Sequence, residues 1–229
     1  MIIQGSRKQM VEKTSSLLFE KTLMFLKKKQ DVVIAVPGGR SVADIYKRFR
    51  DCPLPWDRIH IFLLDERLVP ADHPESNYKL VKEHFGTKVP ATMIHQFRYD
   101  VDNPTQSVID YGKELQSCGS RFDIVLASSG EDGHIASLFP NHHLIDQINN
   151  GFFLLYDSPK PPPGRMSASY GLIRQADTGI ILFFGNGKRN ALRSFFNKQL
   201  SYKECPAKIM TELSHYYLLT DLEVETHDT

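Results

Sequence analysis

Apolar residues are arranged in two alternating patterns along the chain. Through residues 7–29 they recur at the spacing of one helix face, which predicts an amphipathic helix. Residues 31–36 form a continuous, largely β-branched run instead, as in a parallel strand that is buried on both faces. The alternation continues, and it predicts strands at 58–64, 122–127, 151–156, 179–184 and 216–220 and helices at 42–49, 76–84, 105–117, 169–176 and 188–198.

Strands that alternate with helices are joined by right-handed crossovers, and they pair into a mainly parallel sheet. We therefore predict an α/β fold with a single, doubly wound, mainly parallel sheet that carries helices on both faces, as in Rossmann-like proteins. The chain contains no stretch long and polar enough to act as a linker. Residues 1–229 are accordingly predicted to form one domain.

Composition and charge narrow the range of partners. The chain has 229 residues, of which 41% are hydrophobic and 24% charged, as in ordinary globular proteins. Its formal net charge of +1 is too small to attract nucleic acid or an anionic membrane surface. The apolar runs are far too short to cross a bilayer. We therefore expect a small-molecule ligand and neither a nucleic-acid nor a membrane partner, while the oligomeric state stays open.

The cysteines and histidines show no metal-ligand spacing along the chain. Cys52, Cys118 and Cys205 are far apart, so they form neither a paired disulfide framework nor a metal motif. His142 and His143 are adjacent and are interpreted as loop residues. The first residues lack the apolar core of a signal peptide. These observations predict a cytoplasmic protein that uses no metal.

The most informative segment of the chain lies at 122–140. An apolar run leads to a small polar turn, Ser128 to Gly133, and His134 follows at what is predicted to be the first turn of a short helix. In an open α/β sheet, such turns gather at the carboxyl ends of the strands, where ligands bind. A histidine there can act as a base near neutral pH, and Asp132 is close enough to orient its ring. An ordinary strand-to-helix turn would give the same pattern, so both interpretations stay open on this segment alone.

A glycine turn, Gly38-Gly39-Arg40-Ser41, follows the first predicted strand. Glycines let a ligand approach the backbone closely, while the free N–H groups of a helix start attract an anion and Arg40 adds a positive charge. Ser41 is predicted to cap the helix that follows. The spacing is neither that of a P-loop nor that of a dinucleotide-binding turn, and a plain strand-to-helix turn remains the alternative.

Other charged residues follow predicted strands or loops that should meet at the same sheet edge. Asp65 and Arg67 open a predicted polar loop at 65–75, after which Ser76 is expected to cap a helix. Arg165 follows a proline-rich stretch, and Lys188 opens a helix after a glycine turn. Each of these groups alone is compatible with an ion pair or a solvated surface charge. Their convergence with the glycine turn predicts a site for a sugar phosphate.

Five motifs resemble those of the 6-phosphogluconolactonases in both order and spacing. They are Gly38-Gly39-Arg40-Ser41, Asp65-Glu-Arg-Leu-Val-Pro70 with Ser76-Asn-Tyr78, Gly130-Glu-Asp-Gly-His-Ile-Ala-Ser-Leu-Phe-Pro140, Ser158-Pro-Lys-Pro-Pro-Pro163 with Arg165-Met-Ser167, and Gly185-Asn-Gly-Lys188. The resemblance covers about residues 30–210. One departure is Ser128-Ser129-Gly130, where the family usually has Gly-Met-Gly. Ser128 is therefore expected to crowd the turn.

The resemblance implies hydrolysis of 6-phospho-D-glucono-1,5-lactone to 6-phosphogluconate in the pentose phosphate pathway, without a cofactor. It implies that His134 is the general base, that Asp132 or Asp65 holds its ring or orders the sugar, and that Arg67 stabilises charge on the carbonyl oxygen. The residues implied to bind the substrate or its phosphate are Gly38, Gly39, Arg40, Ser41, Gly130, Arg165 and Lys188.

Two other functions stay open at this point. The wider superfamily includes glucosamine-6-phosphate isomerases (deaminases), in which Asp-Gly-His is followed by Asn-Glu-Pro-Gly and Asp-Glu-Tyr replaces Asp-Glu-Arg. This chain has Ser137-Leu-Phe-Pro140 and Arg67 instead, so it is more similar to the lactonases. The second alternative is a regulator that binds a sugar phosphate without catalysis, and Ser128-Ser129 is the feature that favours it.

Overall fold

The structure, a computed structural model, describes residues 1–39, 41–146 and 150–224. The strands in these residues are β1 (Ile2–Gln4), β2 (Val32–Val36), β3 (Ile59–Leu63), β4 (Asp65–Arg67), β5 (Ile124–Ser128), β6 (Phe152–Leu155), β7 (Arg165–Ala168), β8 (Thr178–Phe183) and β9 (His215–Thr220). The α-helices are α1 (Arg7–Leu26), α2 (Ala43–Arg50), α3 (Asn77–Phe85), α4 (Pro104–Cys118), α5 (Tyr170–Arg174) and α6 (Arg189–Phe196). Apart from the short helix predicted at His134, each predicted helix and strand is present, with small shifts at its ends.

Six strands form a parallel sheet in the order β1-β9-β8-β5-β2-β3. From β2 the chain proceeds outward to β3, whereas from β5 it proceeds through β8 to β9 on the other side. The strand order therefore reverses between β2 and β5. In open α/β sheets a ligand binds at such a reversal, beyond the carboxyl ends of the strands. The predicted fold class is confirmed.

A second, smaller sheet was not predicted. Strands β4, β7 and β6 pair antiparallel, with Arg67 opposite Arg165 in the register. The pattern placed 151–156 in the main sheet and treated 65–75 as a loop, but β6 and β4 belong to this second sheet. Strands of three or four residues are too short to show a hydrophobic period, so pairing partners far along the chain decide whether they form.

The residues of β2 show how the core is divided between the two faces of the main sheet. Val32, Ile34 and Val36 pack with apolar residues of α1, α2 and α3. Val33 and Ala35 point to the other face, where they join residues of α4, α5, α6 and the second sheet. All five side chains are buried. Because both faces are covered, the strand has apolar residues at every position rather than at alternate positions.

Serine caps explain where some of the helices begin. Ser6 forms a capping box with Gln9 at the start of α1, and Ser76 accepts a hydrogen bond from the Lys79 backbone at the start of α3, as predicted. The predicted cap at Ser41 is wrong, because α2 begins after Val42 without a side-chain cap. The Ser41 hydroxyl instead lies 3.1 Å from that of Ser128. Among the described residues, no helix is both long and apolar enough to cross a membrane.

Candidate active site

A cleft of about 470 Å³ opens beside the carboxyl ends of β2 and β5. It lies where the strand order reverses, and turns that are far apart in the sequence form its walls. The predicted site residues that line it are Gly38, Gly39, Ser41, Asp65, Arg67, Gly130, His134, Arg165 and Lys188. Asp132 stands beside them, bonded to His134, and Arg40 lies outside the described residues.

The imidazole of His134 is held by a carboxylate and an aromatic ring. His134 Nδ1 lies 2.6 Å from Asp132 Oδ1, and its ring centroid lies 4.8 Å from that of Phe139. Partial burial alone would raise the pKa of Asp132, but the hydrogen bonds and charge of His134, together with the nearby Lys160, hold that pKa well below its usual range. Asp132 is therefore ionised at neutral pH, and it fixes the ring so that Nε2 is the nitrogen left for a reacting water.

The turn that carries His134 is not helical, so the short helix predicted after it is wrong. The backbone N–H of Gly130 donates to the carbonyl of His134 at 2.7 Å, and that of Gly133 donates to the carbonyl of Gly130 at 3.2 Å. Ile135 and Leu138 then form an isolated bridge. These bonds close a compact turn, which holds the imidazole in place without the N-terminus of a helix.

Only a glycine fits at position 130 while the histidine keeps its place. A Cβ atom there would lie 2.0 Å from His134 Nδ1 and 2.6 Å from Asp132 Oδ1. Gly38 is similarly constrained, because a Cβ atom would lie 1.7 Å from Asn77 Oδ1. Both glycines therefore serve the close approach of polar side chains around the cleft.

Asp65 does not hold His134; it organises the opposite wall of the cleft. Its carboxylate accepts hydrogen bonds from Ser137 Oγ at 2.8 Å and from Asn77 Nδ2 at 3.2 Å. Arg165 Nη1 lies 3.7 Å from the same carboxylate. Of the two carboxylates considered as the partner of the histidine, Asp132 is the one in contact with it.

The Glu66 side chain points away from the cleft and links strand β4 to the start of helix α3. Its buried carboxylate accepts hydrogen bonds from the Ser76 hydroxyl and from the backbone N–H groups of Arg67, Asn77 and Tyr78, at 2.7–3.0 Å. Burial nevertheless raises the pKa of this carboxyl above its ordinary value. Asp65 and Arg67 therefore face the cleft while Glu66 binds the start of α3, because successive residues of a strand point to opposite faces.

Two guanidinium groups lie opposite each other on β4 and β7. Like charges in this position repel, so neighbouring groups must compensate them. Arg165 donates to the carbonyls of Lys160, Pro161 and Pro162 at 3.0–3.2 Å, and it thereby holds the proline-rich loop. Arg67 Nη1 donates to the carbonyl of Glu75 at 2.6 Å. The Nε of Arg67 is buried and has no hydrogen-bond partner among the described residues.

Two lysines add positive charge at the other side of the cleft. Lys160 Nζ lies 3.3 Å from Asp132 Oδ2. Burial lowers the pKa of Lys188, against the opposing effect of the Glu131 carboxylate. Lys160 was not among the residues predicted for the site, although the motif Ser158-Pro-Lys-Pro contains it. Asn77 was also missed, although it follows Ser76 in a quoted motif.

Ser128 does not crowd the turn as expected. It is the last residue of β5, and its φ angle is not in the left-handed region that favours glycine. Its hydroxyl meets that of Ser41 at 3.1 Å, so it links the carboxyl end of β5 to the glycine turn after β2. The departure from Gly-Met-Gly therefore adds a contact between two walls of the cleft.

The doubly wound parallel sheet makes this a Rossmann-like α/β protein. A histidine–carboxylate pair lies in its cationic cleft, at the point where the strand order reverses. Residues 5–217 match the family described as Glucosamine-6-phosphate isomerases/6-phosphogluconolactonase, and the chain belongs to this family. The resemblance noted in the motifs is thereby confirmed.

Individual relatives give the same picture. The chain is 34% identical over 196 residues to the 6-phosphogluconolactonase of Borreliella burgdorferi, with 83% of each chain covered. It is 32% identical over 204 residues to probable 6-phosphogluconolactonase 2 of Oryza sativa subsp. japonica, covering 80% of this chain and 72% of that protein. Its fold is similar to that of 6-phosphogluconolactonase from Thermotoga maritima, with a TM-score of 0.85, 24% identity and coverage of 96% and 98%.

Proposed function

We propose that the protein hydrolyses 6-phospho-D-glucono-1,5-lactone to 6-phosphogluconate, a reaction of the pentose phosphate pathway. The observation that carries the proposal is the contact of 2.6 Å between His134 Nδ1 and Asp132 in a cleft that also contains several cations. Relatives that bear the lactonase name, together with Arg67 in place of the tyrosine of the deaminases, support this activity over the other one in the family description.

In the proposed reaction His134 acts first as a base and then as an acid. Its Nε2 takes a proton from a water as the water oxygen bonds to C1 of the lactone. The carbonyl oxygen becomes an oxyanion in a tetrahedral intermediate. When the bond between C1 and the ring oxygen breaks, His134 returns the proton to that oxygen, which becomes a hydroxyl group. The imidazole is neutral again and the product is the open-chain acid.

Arg67 is the proposed donor to the developing oxyanion. Its side chain lines the cleft and is held in place by the Glu75 carbonyl. A preorganised donor of this kind is typically worth about 3–4 kcal/mol in the transition state. Asp65, fixed by Ser137 and Asn77, is proposed to accept hydrogen bonds from sugar hydroxyls.

The phosphate is proposed to bind between the glycine turn after β2 and the cations at the far wall. Gly38, Gly39 and Ser41 offer backbone and hydroxyl groups, while Arg165 and Lys188 offer positive charge. Gly130 allows the substrate to approach the histidine, and Arg40 is proposed to contribute from outside the described residues. Binding energy from this remote group would orient C1 toward the activated water.

The activity is tested with the purified full chain and freshly generated lactone. We expect hydrolysis well above the spontaneous rate, and no ammonia from glucosamine 6-phosphate. Ammonia release without lactone hydrolysis would identify a deaminase. Binding of 6-phosphogluconate in calorimetry, with the lactone decaying at its spontaneous rate, would identify a regulator instead.

Replacing Lys188 with alanine is expected to raise KM roughly tenfold while kcat changes little, because the lysine binds a group remote from the reacting carbon. The measurement is a steady-state comparison with Lys198→Ala, which removes an exposed lysine beyond the end of α6. Equal hydrolysis of phosphate-free gluconolactone and the phosphorylated form would contradict the assignment of a phosphate site.

Replacing Gly130 with alanine is expected to lower kcat by about 10²-fold, because the added methyl group must displace the imidazole. Gly112→Ala is the matched control. A Cβ atom at this position in α4 meets nothing within 4 Å, so activity should be retained and stability should rise by up to about 1 kcal/mol. Full activity of Gly130→Ala would show that the histidine need not stay where the structure places it.

Three further proposals concern the compartment, the domain organisation and the partners of the protein. We propose that it works in a reducing cytoplasm, which agrees with three free cysteines. We also propose that residues 1–229 act as one domain on a small sugar-phosphate lactone, without nucleic acid. A single cooperative unfolding transition, followed with two spectroscopic probes, tests the domain assignment.

A further inference from the structure

Two histidines and a cysteine meet at the edge of the sheet opposite the cleft. His60 is the second residue of β3, so it lies near the amino end of that strand, whereas the cleft lies at the carboxyl ends. His95 lies beside β3, where its backbone N–H donates to the carbonyl of Ile61 at 2.9 Å. Cys118 is the last residue of α4. The cluster therefore ties a strand, a connecting segment and a helix end together.

The three side chains direct their donor atoms at one point. His60 Nδ1 lies 2.9 Å from His95 Nε2, and Cys118 Sγ lies 3.3 Å from the former and 3.9 Å from the latter. In a tetrahedral zinc site with the usual bond lengths, neighbouring ligand atoms are roughly 3.3–3.6 Å apart. Small side-chain shifts would therefore convert the observed arrangement into three corners of such a site.

His95 is held in the orientation that metal-binding histidines adopt. Its Nδ1 lies 2.9 Å from Glu114 Oε1, and its ring stacks on Phe62 with 4.0 Å between centroids. A carboxylate at Nδ1 keeps the proton on that nitrogen, so the lone pair of Nε2 points toward His60 and Cys118. Metal-ligating histidines are characteristically oriented by a carboxylate in this way.

We propose that His60, His95 and Cys118 bind a divalent cation of the zinc class. Two imidazole nitrogens and one thiolate are ligands that zinc prefers, and a water would complete the tetrahedron. Binding would release the proton of the Cys118 thiol, while the proton of the His60 ring would move from Nδ1 to Nε2 so that Nδ1 can bind the cation. Because the site lies at the opposite edge of the sheet from the cleft, its cation would join three structural elements and would take no part in lactone hydrolysis.

Access and charge both suit a cation at this position. His60 and Cys118 are only partly buried, so an ion can enter from solvent. The Glu114 carboxylate, 2.9 Å from His95, places a negative charge beside the cluster. The nearby cation Lys29 is paired with Asp123, with 2.6 Å between Nζ and the carboxylate.

The sequence prediction of no metal was based on spacing along the chain. Positions 60, 95 and 118 are too widely separated to form a sequence motif.

A second group, His142, His143 and Asp157, also has donor atoms close together. It differs from the first in being largely exposed at His143 and Asp157 and in containing no cysteine. We therefore expect it to bind metal only weakly and without a thiolate absorption band.

The proposal is tested by titrating the metal-free full chain with Co²⁺, which reports a thiolate ligand through a charge-transfer absorption band. We expect the band to saturate at one equivalent, to disappear on addition of Zn²⁺ and to be lost in Cys118→Ser. Glu114→Gln should weaken the affinity about 10–100-fold. Cys52→Ser and the double variant His142→Ala/His143→Ala should keep the band. Cobalt binding without the band, or a band that survives in Cys118→Ser, would overturn the proposal.

A second measurement needs no variant and therefore does not depend on the folding of Cys118→Ser. Alkylation of the native chain is followed by mass spectrometry with and without Zn²⁺, and Cys52, also partly exposed, serves as the internal reference. We expect Zn²⁺ to slow the modification of Cys118 at least tenfold and to leave that of Cys52 unchanged. Equal rates at Cys118 with and without Zn²⁺ would show that the cluster is only a hydrogen-bonded group. Neither readout depends on lactone hydrolysis.

Discussion

Replacement of His134 with alanine is expected to lower kcat for lactone hydrolysis by about two to four orders of magnitude, while KM changes little. The imidazole is the only side chain that we assign to move the proton between water and the ring oxygen. The phosphate-binding groups are untouched by the substitution, so the substrate should still bind. The measurement is steady-state hydrolysis together with calorimetry of 6-phosphogluconate binding.

A matched control for this variant is His215→Ala. His215 also contacts a carboxylate, with Nδ1 at 3.4 Å from Asp177, but it lies at the start of β9, opposite the carboxyl ends where the cleft opens. It should therefore retain full activity. If purified His134→Ala kept its kcat, the histidine would have no place in the mechanism, and a direct attack of water assisted by Arg67 alone would have to be considered.

Replacement of Asp132 with asparagine is expected to lower kcat by roughly 10²–10⁴-fold, because an amide neither fixes the productive tautomer nor stabilises the imidazolium. The two residues act as a unit, so the double variant with His134→Ala should be no slower than His134→Ala alone. Asp177→Asn is the control. Additive losses in the double variant would mean that Asp132 acts on the substrate and not through the histidine.

The same pair predicts how stability depends on pH. The pKa of Asp132 is lowered in the folded protein, so its pairing adds stability above the ordinary pKa of a carboxyl and loses it as the pH falls toward the folded value. The free energy of unfolding of the wild type should therefore exceed that of Asp132→Asn at neutral pH, and the difference should shrink in acid. Because Asp132 is partly exposed, the difference should be modest.

The central strands and the longer helices could be predicted from the sequence. The runs that became β2, β5 and β8 are apolar at nearly every position, and such runs have few alternatives to a buried parallel strand. Helix α4 shows the period of a helix over several turns. The turn around His134 is different, because its shape depends on bonds between Gly130 and residues three or four positions further on.

Local sequence assigned the wrong function to Ser41 and gave none to Glu66. Ser41 has the character of a helix cap, but its hydroxyl is taken by Ser128, which lies on a neighbouring strand. Glu66 belongs to a motif that suggests the site, yet its carboxylate binds the start of α3. In both cases the partner lies ten or more residues away, and only the folded chain brings it within hydrogen-bonding distance.

The amino-acid sequence by itself determined the α/β class, the order of the main elements and the family, because each rests on local hydrophobic patterns or on contiguous motifs. Only the tertiary structure decided that Asp132 rather than Asp65 holds His134, that β4, β6 and β7 form a separate sheet, and that His60, His95 and Cys118 meet. The physical reason is the separation along the chain of the residues that interact. Hydrophobic periods arise between neighbours in the chain, whereas hydrogen bonds, ion pairs and ligand clusters depend on distances that exist only after the sheet has assembled.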